Sequence, residues 1–312
     1  LLNDHAKTLL LMVLMAASIR SLADVRRYAV MHMVGAMIYC YFISTYFRVS
    51  VRSGRLGELI YYDANDLGLL LACTIPLCVY FLRPGVNAVI RLATTAVLGV
   101  IIYTLVQTGS RGAFLGLIAC GIYLLFNFGG ITKRVRIYAV GAMAMFLFTF
   151  GGDRYWDMMS SLLHPTQDYN WTGDVGRKAI FERGIGYMLT HPVTGVGARA
   201  FGQAEGTISA ISDRQNYGIG LKWSAAHNSF VEVGAELGVI GFALFLAALY
   251  GAWRFVRTIG LPEQAARAGP LGPLGHAIGG VLIAYCVAGF FVSAGYSAFL
   301  YTIFAMVIGM MK

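Results

Sequence analysis

The sequence predicts an all-α, polytopic membrane protein, and three observations carry that expectation. Hydrophobic residues make up 58% of the 312 and charged residues only 12%, whereas a soluble domain carries about 25% charged residues. The mean hydropathy is +0.67. The apolar residues also gather in long runs, among them 67–82, 135–150, 239–253 and 277–292. A hydrocarbon core takes about 20 predominantly apolar residues per helix, fewer where tilt or flanking anchors help.

Taken in order, the runs give nine candidate spans near 6–19, 27–47, 64–82, 90–107, 113–128, 135–150, 228–253, 276–293 and 295–311. Three units follow: six spans over 1–150, a long external segment over 151–226, and three spans over 227–312. No signal peptide is visible. The chain opens Leu1-Leu2-Asn3 and ends at Lys312 straight after an apolar run, the pattern of a piece that lacks earlier spans. All five cysteines (Cys40, Cys73, Cys78, Cys120, Cys286) fall inside predicted spans without a CxxC spacing. Buried apolar thiols, rather than disulfides or metal ligands, are expected.

Lys and Arg accumulate in cytoplasmic loops. Arg20, Arg26 and Arg27, then Arg83 and Arg91, then Lys133, Arg134 and Arg136, then Arg254, Arg257 and Arg267 fall on alternate sides of successive spans, so they agree on one face, the cytoplasmic one. The opposite face carries Arg48, Arg52, Arg55 and Arg111, and then the segment 151–226, where seven bases meet seven acids. The net charge of +9 is therefore no argument for nucleic acid. External arginines at the membrane run against the insertion rule, and a lipid-linked phosphate at the outer leaflet would account for them, since Arg binds phosphate oxygens bidentately and keeps its charge.

A 76-residue segment is too long for a simple connector and carries structure or function of its own. Within it 176–191 has helical periodicity, with Ile180, Gly184, Tyr187 and Met188 as the apolar stripe. Pro192 stops that helix, and Gly195-Val196-Gly197 forms a turn that brings backbone close to something. The aromatics here, Trp156 and Tyr187 among them, fit an interfacial belt or a sugar-stacking surface.

Three motifs carry candidate chemistry. Gly109-Ser110-Arg111-Gly112 joins two spans, and an Arg this close to hydrocarbon fits a bound anion better than a turn alone. Asp63-Ala64-Asn65-Asp66 opens a span, where Asp and Asn are favoured caps; two carboxylates and an amide are an incomplete set for a divalent ion, so no metal is expected. His227-Asn228 stands where the external segment enters the next span. Glu232 and Glu236 follow one turn apart, with Glu232 about a turn inside the membrane, where an ionisable group suggests function. Histidine titrates near neutrality and is the usual general base for a hydroxyl, and His227 is the best placed of the six.

These residues together resemble the O-antigen ligase and polymerase superfamily. Thr108-Gly-Ser-Arg-Gly-Ala113 is similar to its span-linking motif. Gly176-Arg177, His191-Pro-Val-Thr-Gly-Val-Gly197, His227-Asn228 and Glu236-Leu-Gly-Val-Ile-Gly241 follow in the family's order. Tyr61-Tyr-Asp-Ala-Asn-Asp-Leu67 is similar to a subgroup of O-glycosylation or exopolysaccharide ligases. The resemblance implies an inner-membrane glycosyltransferase. Its donor would be an undecaprenyl-diphosphate-linked glycan, and its acceptor lipid A-core, protein or polysaccharide. The lack of a dense acidic cluster on the external face makes a metal-independent site the expectation, no cofactor is expected, and in-line attack by the acceptor would invert the anomeric configuration. The resemblance also implies Arg111, Arg177 and Arg199 on the diphosphate and His227 at the acceptor; Glu232 joins His227 as a catalytic candidate through its place a turn inside the membrane. Arg48, Arg183, Asp63, Asp66 and Asn228 are secondary candidates. A polymerase of the same superfamily fits equally. A polysaccharide or lipid transporter would show charges deep in several spans or repeated halves, and neither is seen.

Overall fold

A computed structural model of the chain describes residues 2–46, 56, 63–128, 132–163, 171, 176–212, 225–261, 269 and 271–312. The described residues form helices and no strand. In order they are α1 (Leu2–Ser18), α2 (Leu22–Tyr46), α3 (Ala64–Leu82), α4 (Ala88–Thr108), α5 (Arg111–Asn127) and α6 (Lys133–Phe150), then α7 (Gly152–Ser160), α8 (Arg177–Thr190) and α9 (Phe201–Thr207), and finally α10 (Ser229–Gly260), α11 (Leu271–Gly289) and α12 (Ala298–Met310).

Each predicted span is a helix, but five are long and apolar enough to cross a membrane: α2, α3, α4, α10 and α11. The other four fall short for separate reasons. Helices α1 and α5 have 17 residues and α12 has 13, while α6 opens on Lys133, Arg134 and Arg136. The cysteines are free, and all but Cys286 are fully buried, as their apolar settings predict.

Helices α3 and α11 form the centre, with two-thirds of their apolar windows buried against about a third in α2, α4 and α10. Small residues let them approach. A Cβ added to Gly68 of α3 would meet Ala113 and Ser110, and one on Gly116 of α5 would meet Ala284 and Ala288 of α11. The outward faces carry large exposed hydrophobics such as Phe148 (81%) and Leu244 (67%). Contiguous apolar surface on this scale needs a non-aqueous neighbour.

Local chemistry sets the helix ends near the candidate site. Gly109 takes a left-handed backbone (φ 57°) that closes α4, and Ser110 Oγ then accepts from the Ala113 N–H at 3.3 Å to start α5. Asp63 caps α3 reciprocally. Its Oδ1 accepts from Asn65 N (2.6 Å) and Asp66 N (2.9 Å), while Asp66 Oδ2 accepts from Asp63 N at 3.2 Å, a capping box. Asn228 Oδ1 does the same for α10, accepting from Phe230 N and Val231 N at 2.9 and 3.1 Å.

Helix α10 is broken at Gly238, whose φ of 68° and ψ of −172° lie outside the helical region. Residues 239–260 alone extend about 33 Å at ~1.5 Å per residue, enough for a hydrocarbon core of about 30 Å. The sequence suggested Glu232 a turn inside the bilayer. Glu232 stands on the short segment 229–237, which the break at Gly238 sets off from residues 239–260.

Candidate functional site

The break at Gly238 interlocks two of the sequence motifs. Backbone carbonyls of Ala235 and Glu236, released from α10, accept from Val196 N (2.9 Å) and Gly197 N (3.1 Å), and Val239 N donates to the Pro192 carbonyl at 2.8 Å. Gly195 (φ 61°) lies against the Glu236 backbone so closely that any Cβ there would collide with it. The Glu236 side chain, 2% exposed, completes the clamp: Oε2 accepts from Arg199 N at 2.6 Å and Oε1 from Phe201 N at 3.1 Å. The turn after α8 is thus fastened to the start of α10, and Arg199 is positioned by its backbone.

Helix α8 spans 177–190 with Gly176 and His191 at its ends, close to the predicted 176–191. It packs on the same segment of α10, where Cβ atoms added to Gly184 and Gly234 would meet Val231 and Met188 respectively.

A second hub is the connection between α11 and α12, residues 290–297. A Cβ on Gly112, beside Arg111 at the start of α5, would meet Phe291 at 2.9 Å. Phe181 of α8 stacks edge-on against Phe290 with centroids 5.9 Å apart. His227 N donates to Ser293 Oγ at 2.9 Å, and Ser229 Oγ bridges the Val292 carbonyl and Ala294 N at 2.7 and 3.0 Å. The elements bearing Arg111, Arg177 and His227 therefore meet on four consecutive residues, 290–293. Arg177 and Asp63 both lie within electrostatic reach of His227. Burial first, then the Arg177 charge, hold the imidazole below its ordinary value of 6.5, with Asp63 opposing them. The Arg111 guanidinium also reaches down to α7's end, donating to Ser161 Oγ at 2.7 Å.

Beside this corner is a cavity of about 580 Å³ whose wall includes Asp66, Arg199, Glu232, Glu236 and Tyr296. Glu232 Oε2 accepts from Gly295 N at 2.9 Å, and the Arg199 guanidinium lies 6.0 Å from the Tyr296 ring centre. Arg111, Arg177 and His227 do not line the cavity, but Ala226 and Ser293 do, and these flank His227. The structure thus groups Arg199 with the carboxylates and not with the other two arginines. Among the described residues, the non-glycine positions with positive φ are Arg199 (57°) and His227 (49°). Such backbone costs about 1–3 kcal/mol and persists where its surroundings over-determine it.

The remaining candidates sort by geometry. Asp63 and Asp66 cap α3, as their sequence context suggested, and Asp66 also faces the cavity. Asn228 caps α10. Arg183 forms a buried pair with Glu205, whose carboxylate it meets at 2.6 Å and which also accepts from the Tyr187 hydroxyl at 2.7 Å. The Glu205 bond holds Arg183 more firmly protonated, and burial first, then the bond to that carboxylate, push the Tyr187 hydroxyl up. Arg48 lies outside the described residues. Among the described residues no three His, Cys, Asp or Glu side chains gather as metal ligands.

Sequence reasoning missed Tyr296, Ser293 and the hub they belong to. The run Ser293-Ala-Gly-Tyr-Ser297 interrupts two apolar stretches, and that interruption was the available signal.

None of the curated proteins searched matches the chain. Residues 95–246, however, match the family described as O-Antigen ligase, a stretch running from α4 through the Arg111 turn, α8, the clamped turn and His227 into α10. Over that stretch the chain is similar to this family, and the match together with its apolar helices supports a multi-pass membrane protein of O-antigen ligase-like kind.

Proposed function

We propose that the chain transfers a glycan from an undecaprenyl-diphosphate carrier to an acceptor hydroxyl of lipid A-core, protein or polysaccharide, at the periplasmic face of the inner membrane. In this reading nine spans cross the bilayer and residues 151–226 lie outside it. The observation that carries the proposal is the meeting of the Arg111, Arg177 and His227 elements on residues 290–293, from positions spread over 116 residues of sequence.

The chemistry follows from charge. The acceptor oxygen bonds to the anomeric carbon as the bond to the diphosphate oxygen breaks, with inversion for in-line attack. Negative charge grows on the departing diphosphate, where preorganised cations in a water-poor site stabilise it best. Arg111 and Arg177 fill that role. Arg199 is the weaker candidate, because the charges around it are carboxylates. His227, kept neutral by burial and Arg177, takes the hydroxyl proton. No metal is invoked in any step.

The test uses purified protein in nanodiscs with a defined undecaprenyl-diphosphate glycan. Arg111→Lys keeps the charge and loses the planar fork, so donor affinity should fall about tenfold, roughly 1.4 kcal/mol, and wild-type transfer should persist in EDTA. Donor affinity unchanged in the variant, or transfer abolished by EDTA and restored by Mg²⁺, would overturn the assignment.

A further inference from the structure

We infer that the cavity lined by Asp66, Glu232, Arg199 and Tyr296 is an acceptor subsite that takes a neutral, hydroxyl-rich sugar unit. The inference rests on the transfer reading above and names the chemistry of the acceptor. At about 580 Å³ the cavity lies within the usual ~300–1,000 Å³ of small-ligand sites.

Charge decides what it can hold. Three carboxylates (Asp66, Glu232, Glu236) face one guanidinium (Arg199). An anionic group would find the one guanidinium already faced by carboxyl groups, with no further cation on the wall to offset its own desolvation. That disfavours both the diphosphate and an acidic sugar. Sugar hydroxyls, by contrast, bond readily to carboxyl groups. The carboxylates differ in what they have left to offer. Both oxygens of Glu236 accept backbone N–H groups. Glu232 accepts from Gly295 N through Oε2, and Asp66 accepts from Asp63 N through Oδ2. A carboxylate has about four lone-pair sites, so Glu232 and Asp66 keep acceptor capacity toward the cavity.

Tyr296 provides an independent pointer. It is 8% exposed, and its hydroxyl lies beside the Glu236 carboxyl group without a hydrogen bond of good geometry to it. A hydroxyl also accepts, so a sugar O–H in the cavity can bond to it. Tyr296 and Phe299 add aromatic surface to the wall. The cavity is contiguous with the transfer corner through Ser293, whose Oγ accepts from His227 N. A sugar seated there would present a hydroxyl toward His227.

The experiment is direct binding to the intact protein in nanodiscs, using a fluorescent neutral trihexoside and a triuronate of equal length. The trihexoside should bind at least about tenfold tighter, and Tyr296→Phe should weaken it about fivefold, with affinity for the undecaprenyl-diphosphate glycan unchanged. Asp66→Asn, which takes a carboxyl group off the wall beside the guanidinium, should narrow the preference for the neutral probe. A triuronate bound as tightly as the trihexoside, no trihexoside binding, or full trihexoside affinity in both Tyr296→Phe and Glu232→Gln would overturn the proposal. The two readings fail separately. If the trihexoside behaves as stated while the diphosphate glycan neither binds nor is transferred, the transfer reading falls and the sugar site stands. If transfer proceeds but the triuronate is preferred, the sugar site falls alone.

Discussion

The corner around His227 and the wall of the adjoining cavity sit within ten residues of one another on the same stretch of chain, yet they gather different groups, basic side chains in one and carboxyl groups in the other. At His227 the arginine at position 177 faces the imidazole and Asp63 alone opposes it. Along the first two turns of α10, Glu232 and Glu236 join Asp66 around a single arginine, Arg199. Separation comes from backbone devices: the Asn228 cap turns the chain into α10, and the break at Gly238 docks the Arg199 turn on the other side. A reaction that must hold an anionic leaving group and a hydroxylic nucleophile needs two such environments side by side.

The sharpest way to break this comparison is at His227. His227→Ala should lower the transfer rate by about 10²–10⁴-fold, while donor affinity and trihexoside affinity remain near wild type. Because burial and Arg177 hold the imidazole below 6.5, it is neutral at pH 7, and the acid limb of the rate profile should lie below pH 6.5. A folded variant with undiminished turnover, or an acid limb above 6.5, removes the histidine from the mechanism.

Next in size is the buried pair between Arg183 and Glu205. Arg183→Ala leaves Glu205, a fully buried carboxylate, without its counter-charge, which ordinarily costs about 3–5 kcal/mol. The melting temperature should drop sharply, while material that still folds should bind the diphosphate glycan normally. Weaker donor binding at unchanged stability would return Arg183 to the cationic corner as a phosphate ligand.

The contrast between Arg111 and Arg183 shows where sequence stops being informative. Both are arginines in the stretch expected to face the carrier lipid. The Arg111 turn is written locally, because Gly109 ends one helix and Ser110 begins the next. So are the caps at Asp63 and Asn228 and both ends of α8. The partner of Arg183 is Glu205, 22 residues on, and no local pattern announces that pairing. Arg199 shows the same limit: docking of its turn against Glu236 sets it among carboxyl groups, and no local pattern announces that contact. The connection 290–297 was hidden differently, since Gly, Ala, Ser and Tyr barely interrupt an apolar profile and the two neighbouring spans were drawn almost touching.

The smallest expected effect bears most directly on how the two regions are kept apart. Gly238 holds φ 68° and ψ −172°, a conformation essentially confined to glycine that costs other residues about 1–3 kcal/mol. A Cβ there would also meet the Pro192 carbonyl oxygen at 2.5 Å. That carbonyl accepts from Val239 N, one of the bonds fastening the Arg199 turn to α10. Gly238→Ala should therefore loosen the turn, the Glu236 clamp and the Arg199 side of the cavity. It should leave His227 tied to Ser293, and Asn228 capping α10, at the start of the helix away from the break. The expected result is a stability loss of about 2 kcal/mol, with trihexoside affinity reduced more than donor affinity. Equal loss of both would mean that the break holds one undivided site together rather than separating two.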